Sequence, residues 1–146
     1  MDEQSITEIS RREDCRYWMT VPTRWNDNDM LGHVNNVVYY SYFEAIVVRF
    51  LMEECGLDWL KSPYVPLAAE TLCRFKRPIA FPEVVEVGMK IVKLGNTSVT
   101  YAIGLFVEGD ENPVALGHFV HVYVDRETDR PSSIPDHIRS IYKNLM

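Results

Sequence analysis

A chain of 146 residues has the length of one globular domain, and its 47% hydrophobic and 25% charged residues suit a fold that buries a core without disulfide or metal staples. Fifteen Lys and Arg against 21 Asp and Glu give a formal net charge of -6, a field that repels a phosphate backbone and argues against a nucleic-acid partner. Cys15, Cys55 and Cys73 are an odd, scattered trio with no C-x-x-C spacing, which speaks against a disulfide framework or a Cys-rich zinc site and for a cytoplasmic protein.

Residues 1–14 read as a polar leader without the apolar stretch of a signal peptide, and residues 15–146 as a single domain. Tyr17, Met19, Val21 and Trp25 then alternate with Arg16, Trp18, Thr20 and Arg24, the period of two that predicts a strand with one buried face. Pro22 has no N–H to offer a neighbour, which assigns this strand to a sheet edge or a bulge. After a loop over 26–32, residues 36–55 contain no Gly or Pro, and Gly56 stands where a helix ends. Val37, Val38, Tyr39, Tyr42, Phe43, Ile46, Val47, Phe50 and Leu51 run nearly all the way round that helix, which predicts one surrounded by protein. The same stretch is interrupted by Ser41, Glu44 and Arg49 and is too short and too charged to span a membrane. Glu44, within so apolar a helix, calls for a hydrogen-bonding or basic partner.

Everything beyond Tyr64 reads as strand, over 65–77, 84–93, 97–107 and 114–125, until the last dozen residues. Gly95-Asn96 marks a hairpin, and Gly109-Asp110 with Pro113 a longer turn. Pro135 at a first helical position, followed by Ile138, Ile141, Tyr142 and Leu145, predicts a short C-terminal helix. The inventory requires an α+β fold: a five-stranded curved antiparallel sheet wrapped around one long central helix. Such a sheet has exposed edges, so a homodimer or homotetramer is expected.

Several chemistries are absent from the sequence. It has no G-x-S-x-G, G-x-G-x-x-G, Walker lysine loop or H-E-x-x-H. His118 and His121 are an odd number apart and point to opposite faces of a strand, which predicts one buried and one exposed and no shared metal. Asp27-Asn28-Asp29 opens like a calcium loop, but Val38 occupies the twelfth position where a bidentate Glu is required, so no metal is expected. What remains is the segment from Arg24 to Asn36, between the first strand and the long helix. The first N–H groups of that helix, near Asn36, lack intrahelical acceptors and lie at the positive end of the helix dipole, where they can polarise a carbonyl oxygen. Asp29, a few residues upstream, can act as a nucleophile or orient a water. The alternative for Asp27 and Asp29 is a purely local role as turn-forming residues.

The run Asp29-x-x-Gly32-His33-Val34-Asn35-Asn36-x-x-Tyr39, followed by Tyr42-Phe43-Glu44, resembles the hotdog-fold thioesterases of the 4-hydroxybenzoyl-CoA thioesterase-like family. The resemblance extends from about Tyr17 to the last helix. It implies hydrolysis of an acyl-CoA thioester without metal or organic cofactor, with Asp29 as the catalytic carboxylate, the Asn36 amide polarising the carbonyl and Asp27 in support. Related plant acyl-ACP thioesterases carry Asp-x-Asn-x-His-Val-Asn-Asn, and here the Asn position is Leu31, so His33 stays open between catalysis and structure. For the substrate, Tyr39 is a candidate pocket residue. Arg74, Lys76 and Arg77 are a basic run that either meets CoA phosphates or is a solvated strand edge. Gly117 permits either a close approach by the pantetheine arm or tight internal packing. The resemblance also implies strand order 1-3-4-5-2, with the strand over 65–77 at an edge where it can pair with a two-fold mate. Other readings of the same fold are a noncatalytic acyl-CoA-binding or assembly domain, and a dehydratase or hydratase, whose Asp-x-Asn-Pro-x-His arrangement this chain lacks.

Overall fold

The computed structural model describes residues 9–146. Five strands, β1 (Tyr17–Pro22), β2 (Tyr64–Phe75), β3 (Val84–Leu94), β4 (Ser98–Val107) and β5 (Ala115–Asp125), form one antiparallel sheet in the order β1-β3-β4-β5-β2. A long helix, α1 (Asn36–Glu53), lies on one face, and a short helix, α2 (Asp136–Lys143), follows the last strand. This is the hotdog fold, with the strand order that the sequence resemblance implies. β1, with Pro22, and β2 are the edges. Register shifts interrupt the ladder between Ala68 and Glu70 on β2 and between Ile91 and Lys93 on β3, the places where a bulge bends a sheet.

The strands carry apolar residues on the face turned to α1: Val85, Val87, Met89 and Ile91 from β3, Val99, Tyr101, Ile103 and Leu105 from β4, and Ala115, Phe119 and Tyr123 from β5. The helix answers with Tyr39, Tyr42, Phe43, Ile46, Val47, Phe50 and Leu51, the alternating three-and-four spacing of a single face. The expected all-round burial of the helix is therefore corrected. Val37 is 70% exposed, and Glu44 is exposed rather than buried with a partner, because the sheet covers only one side of α1. Gly56 has φ +67°, the left-handed backbone that lets the chain turn away after the helix. Pro135 stands one position earlier than expected, as the N-cap of α2.

Three further expectations change. Of the 1–14 leader, residues 1–8 lie outside the described residues, but Ile9 is only 1% exposed and packs with Cys15, Ala102, Phe106 and Leu116 on the outer face of the sheet. That part of the leader belongs to the packed domain. His118 and His121 do point to opposite faces, yet both are buried, because the outer face is covered as well. His118 bonds to Glu70 at 2.8 Å, and His121 meets Tyr101. Gly117 lies under the Phe43 ring: a Cβ there would come within 2.7 Å of it. Close helix-to-sheet packing accounts for this glycine. Among the described residues no helix is long and apolar enough to cross a membrane.

Candidate active site

The segment joining β1 to α1 is held by a knot around Asp27. A single 3-10 turn (Trp25–Asp27) swings the Asp27 carboxylate inward, where its side chain is 2% exposed. The Arg24 backbone N–H donates to it at 2.9 Å, the Arg24 guanidinium at 3.1 and 3.2 Å, and the Tyr42 hydroxyl, from α1, at 2.9 Å. Burial works to raise the carboxyl pKa, but these bonds outweigh it and hold the group below its ordinary value. The Asp27 carbonyl also accepts the Asn35 N–H at 2.8 Å. Asp27 thus fixes both the start of α1 and the loop before it.

Between these anchors, residues 28–34 form a small hairpin. Asn28 and Val34 face each other in an antiparallel bridge, the Asp29 N–H donates to the His33 carbonyl at 2.9 Å, and Gly32, at φ +80°, donates to the Asp29 carbonyl at 3.0 Å. Only Gly adopts that backbone readily. Val34 bonds across to Ile79, and the Asn28 side chain accepts from the Phe81 N–H, so the base of the hairpin is tied to the segment before β3. Its tip projects outward, with Met30 100% and Leu31 79% exposed.

Two groups are left uncommitted by this framework. The Asp29 carboxylate is exposed and accepts the Leu31 N–H at 2.9 Å through Oδ1, while Oδ2 has no partner among the described residues. At the helix start, Asn35 caps with its side chain on the Val37 N–H at 3.1 Å, and its carbonyl takes the Val38 N–H at 2.9 Å. The Asn36 N–H, just before these two, has no acceptor among the described residues. It is the orphan donor expected at a helix N-terminus.

Asp29, His33, Asn36 and Tyr39 line one cavity of about 390 Å³, closed on the far side by Phe75, Lys76, Arg77 and Pro78 at the end of β2. The Tyr39 and Phe75 rings meet edge to face at 4.8 Å and form its apolar floor. Of the predicted basic run, Lys76 lines this cavity and has no carboxylate partner among the described residues. Arg77 lines it too, but its guanidinium is paired with Asp110 at 2.8 Å and with Glu83 at 3.6 Å. Arg74 sits opposite Leu116 in the ladder, on the other face of the sheet from Phe75, and is corrected out of the cavity, as is Gly117. Sequence reasoning missed Tyr42 and Arg24 as the partners of Asp27. The three-residue spacing from Arg24 to Asp27 was the available signal, because a short turn lets the acid reach back to that backbone N–H. Among the described residues no three His, Cys, Asp or Glu side chains are grouped so as to hold a metal ion.

The cavity sits in a segment that matches the thioesterase-like superfamily over residues 23–141. The chain belongs to that superfamily. Among solved structures it is similar to the PA5185 protein of Pseudomonas aeruginosa strain PAO1, at 40% identity and a TM-score of 0.90, over 94% of this chain and 96% of that one. It is also similar to a thioesterase from Thermus thermophilus solved with coenzyme A and zinc, at 32% identity and a TM-score of 0.74, over 88% and 92% of the two chains. A further relative, the uncharacterized protein YsmA of Bacillus subtilis, is 26% identical over 121 residues, covering 82% of this chain and 80% of YsmA.

Proposed function

We propose that this protein hydrolyses acyl-CoA thioesters to the free acid and CoA, with Asp29 as the catalytic carboxylate and the Asn36 N–H as the oxyanion donor. One observation carries the reading: Asp29, with one carboxylate oxygen unpartnered among the described residues, and Asn36, whose N–H has no acceptor among them, line the same cavity. The superfamily, and a 32% identical thioesterase solved with coenzyme A, support the same chemistry.

In this scheme the thioester carbonyl oxygen accepts the Asn36 N–H, which stabilises the negative charge that builds on it. Asp29 takes the proton of a water as the water oxygen bonds to the carbonyl carbon, or attacks that carbon itself to form an anhydride that water then opens. In both routes the carbon–sulfur bond breaks and CoA leaves as a thiolate, which regains a proton. His33 lines the same cavity. Lys76, which has no carboxylate partner among the described residues, faces the anionic part of CoA, and the Tyr39–Phe75 floor takes apolar surface of the substrate.

Thiol release from a panel of acyl-CoAs, read for the native protein and for Asp29→Asn, tests the assignment. The variant should keep its fold and bind acyl-CoA while turnover falls roughly 100-fold or more. Near-normal turnover by a folded Asp29→Asn protein would remove Asp29 from the mechanism. The free edge of β2, exposed from Leu67 to Thr71, supports a two-fold partner, so sedimentation at micromolar concentration should give a dimer or tetramer.

A further inference from the structure

At the other end of the core, four polar side chains from three elements meet in apolar surroundings. The Tyr142 hydroxyl, on α2, lies 2.6 Å from the Tyr101 hydroxyl on β4 and 2.7 Å from the Tyr123 hydroxyl on β5. The Tyr101 hydroxyl in turn lies 3.2 Å from His121 Nδ1, also on β5. Tyr101, Tyr123 and Tyr142 are 0% exposed and His121 is 5% exposed. A buried hydroxyl proton must be donated somewhere, so the direction of these bonds is a counting problem.

Two directions are possible. If His121 Nδ1 carried the proton and donated to Tyr101, each hydroxyl would pass its own proton along toward Tyr123. The Tyr123 hydroxyl would then need an acceptor, and among the described residues it has none besides Tyr142. In the opposite direction Tyr123 donates to Tyr142, Tyr142 to Tyr101, and Tyr101 to the lone pair of His121 Nδ1. Every buried hydroxyl proton is then used. The remaining ring N–H falls on His121, the one member of the chain with surface left for water.

We propose that Tyr123, Tyr142, Tyr101 and His121 form a one-way hydrogen-bond chain that fixes His121 as its Nε2–H tautomer and clasps α2 to the sheet only while that ring is neutral. A second proton on the ring would fall on Nδ1, the atom that accepts from Tyr101. It would force the chain to reverse and strand the Tyr123 proton. Among the described residues the titratable groups around the chain carry no charge to compensate: Tyr101 comes from β4, Tyr142 from α2, Tyr64 from β2 and Cys55 from just after α1, and burial first of all raises the pKa of Tyr101, Tyr123, Tyr142 and Cys55, which keeps them neutral. Opposite His121, β2 supplies Ala68 and β4 supplies Val99. Burial also pushes the His121 pKa down from 6.5 to about 4. The unfolded chain takes up this proton near pH 6.5 and the folded one only near 4, so the clasp is at full strength above 6.5 and weakens as pH falls between the two values.

Nitrogen-15 NMR of the histidine side chains in the native protein tests the direction without any substitution. At neutral pH His121 should show the Nε2–H tautomer with a hydrogen-bonded Nδ1, and the Nδ1–H tautomer would overturn the proposal. Tyr101→Phe should release Nδ1, mix the tautomers and raise the His121 pKa. Tyr123→Phe, which removes only the first donor, should leave the tautomer as it was, and a shift as large as that of Tyr101→Phe would count against the one-way chain. Amide-exchange protection factors, corrected for intrinsic rates, should fall in α2 by roughly a hundredfold between pH 7 and 4.5, ahead of the first turn of α1. Equal loss across the domain would show that no clasp acts on α2.

Discussion

The two ends of α1 sit in opposite polar environments. Near its last turns, Phe50 stacks on Tyr142 at 5.9 Å, and the hydroxyls and imidazole beyond it consume one another's hydrogen-bonding capacity. At its first turn the Asn36 N–H has no acceptor among the described residues, and one oxygen of Asp29 has no partner among them, two residues from an Asp27 carboxylate that receives four bonds. At the core end the Tyr101, Tyr123 and Tyr142 hydroxyls and His121 Nδ1 are turned to one another. The cavity end divides the work between two neighbouring carboxylates, one fixing the backbone and one facing the open space. Unsatisfied groups beside an over-determined scaffold are what a preorganised site needs, since they need not reorganise when substrate arrives.

The largest effect expected from breaking this contrast comes from taking the amide away. Asn36→Pro removes the N–H but suits a first helical position, and Asn35, at φ −61° and ψ 140°, already has the extended backbone that a following proline demands. Turnover should fall by about 10²- to 10³-fold with the melting curve little changed, whereas Asn36→Ala keeps the amide and much of the activity. Circular dichroism beside thiol release separates the two. Loss of activity in the Ala variant equal to that in the Pro variant would assign the role to the side chain.

Next in size is Tyr42→Phe, which takes one donor from the buried Asp27 and should cost about 1.5–3 kcal/mol in urea unfolding. Asp27 has a depressed pKa, so its contribution is present above the unfolded carboxyl value and is lost as pH falls through the folded one. The variant should therefore lose stability at neutral pH and show a shallower further loss on acidification. If unfolding free energy against pH keeps its native shape, Tyr42 does not hold that carboxylate.

Gly117→Ala comes third, at about 1–3 kcal/mol, because the added methyl meets the Phe43 ring. Its KM for acyl-CoA should hold while its melting temperature drops, and pairing it with Phe43→Leu should recover part of the loss. A raised KM at unchanged stability would restore a substrate role to the glycine. Smallest is the cationic rim: Lys76→Ala should raise KM by about fivefold or less, an effect that shrinks with added salt, and Arg77→Ala by less still, because Asp110 and Glu83 already neutralise Arg77.

These residues also mark how far a sequence can be read. The strands, their order and the position of the cavity were legible because alternation, turn residues and the Asp29-to-Asn36 run are local or carried by resemblance. The environment of Glu44 was not. Helical periodicity counts apolar residues but does not say how much of the cylinder one sheet can cover, and Glu44 lies on the side left open. Arg74, Lys76 and Arg77 were read as one basic run, yet strand alternation sends Arg74 to the far face, and Arg77 is answered by Asp110, 33 residues away. The expectation that one of His118 and His121 is exposed fails for a similar reason, since Ile9 and Cys15, remote in sequence, help cover the outer face. Pairings of that kind depend on tertiary proximity that no spacing rule contains.

The hairpin over 28–34 has its fixed points at the base, in the Asn28–Val34 bridge and the bonds to Ile79 and Phe81, while Met30 and Leu31 are held by little more than the turn. Leu31 nevertheless forms part of the cavity wall. Substitutions at the tip can therefore reshape what the cavity admits while the backbone at its base stays fixed, so that on the proposed reading specificity can be retuned in steps.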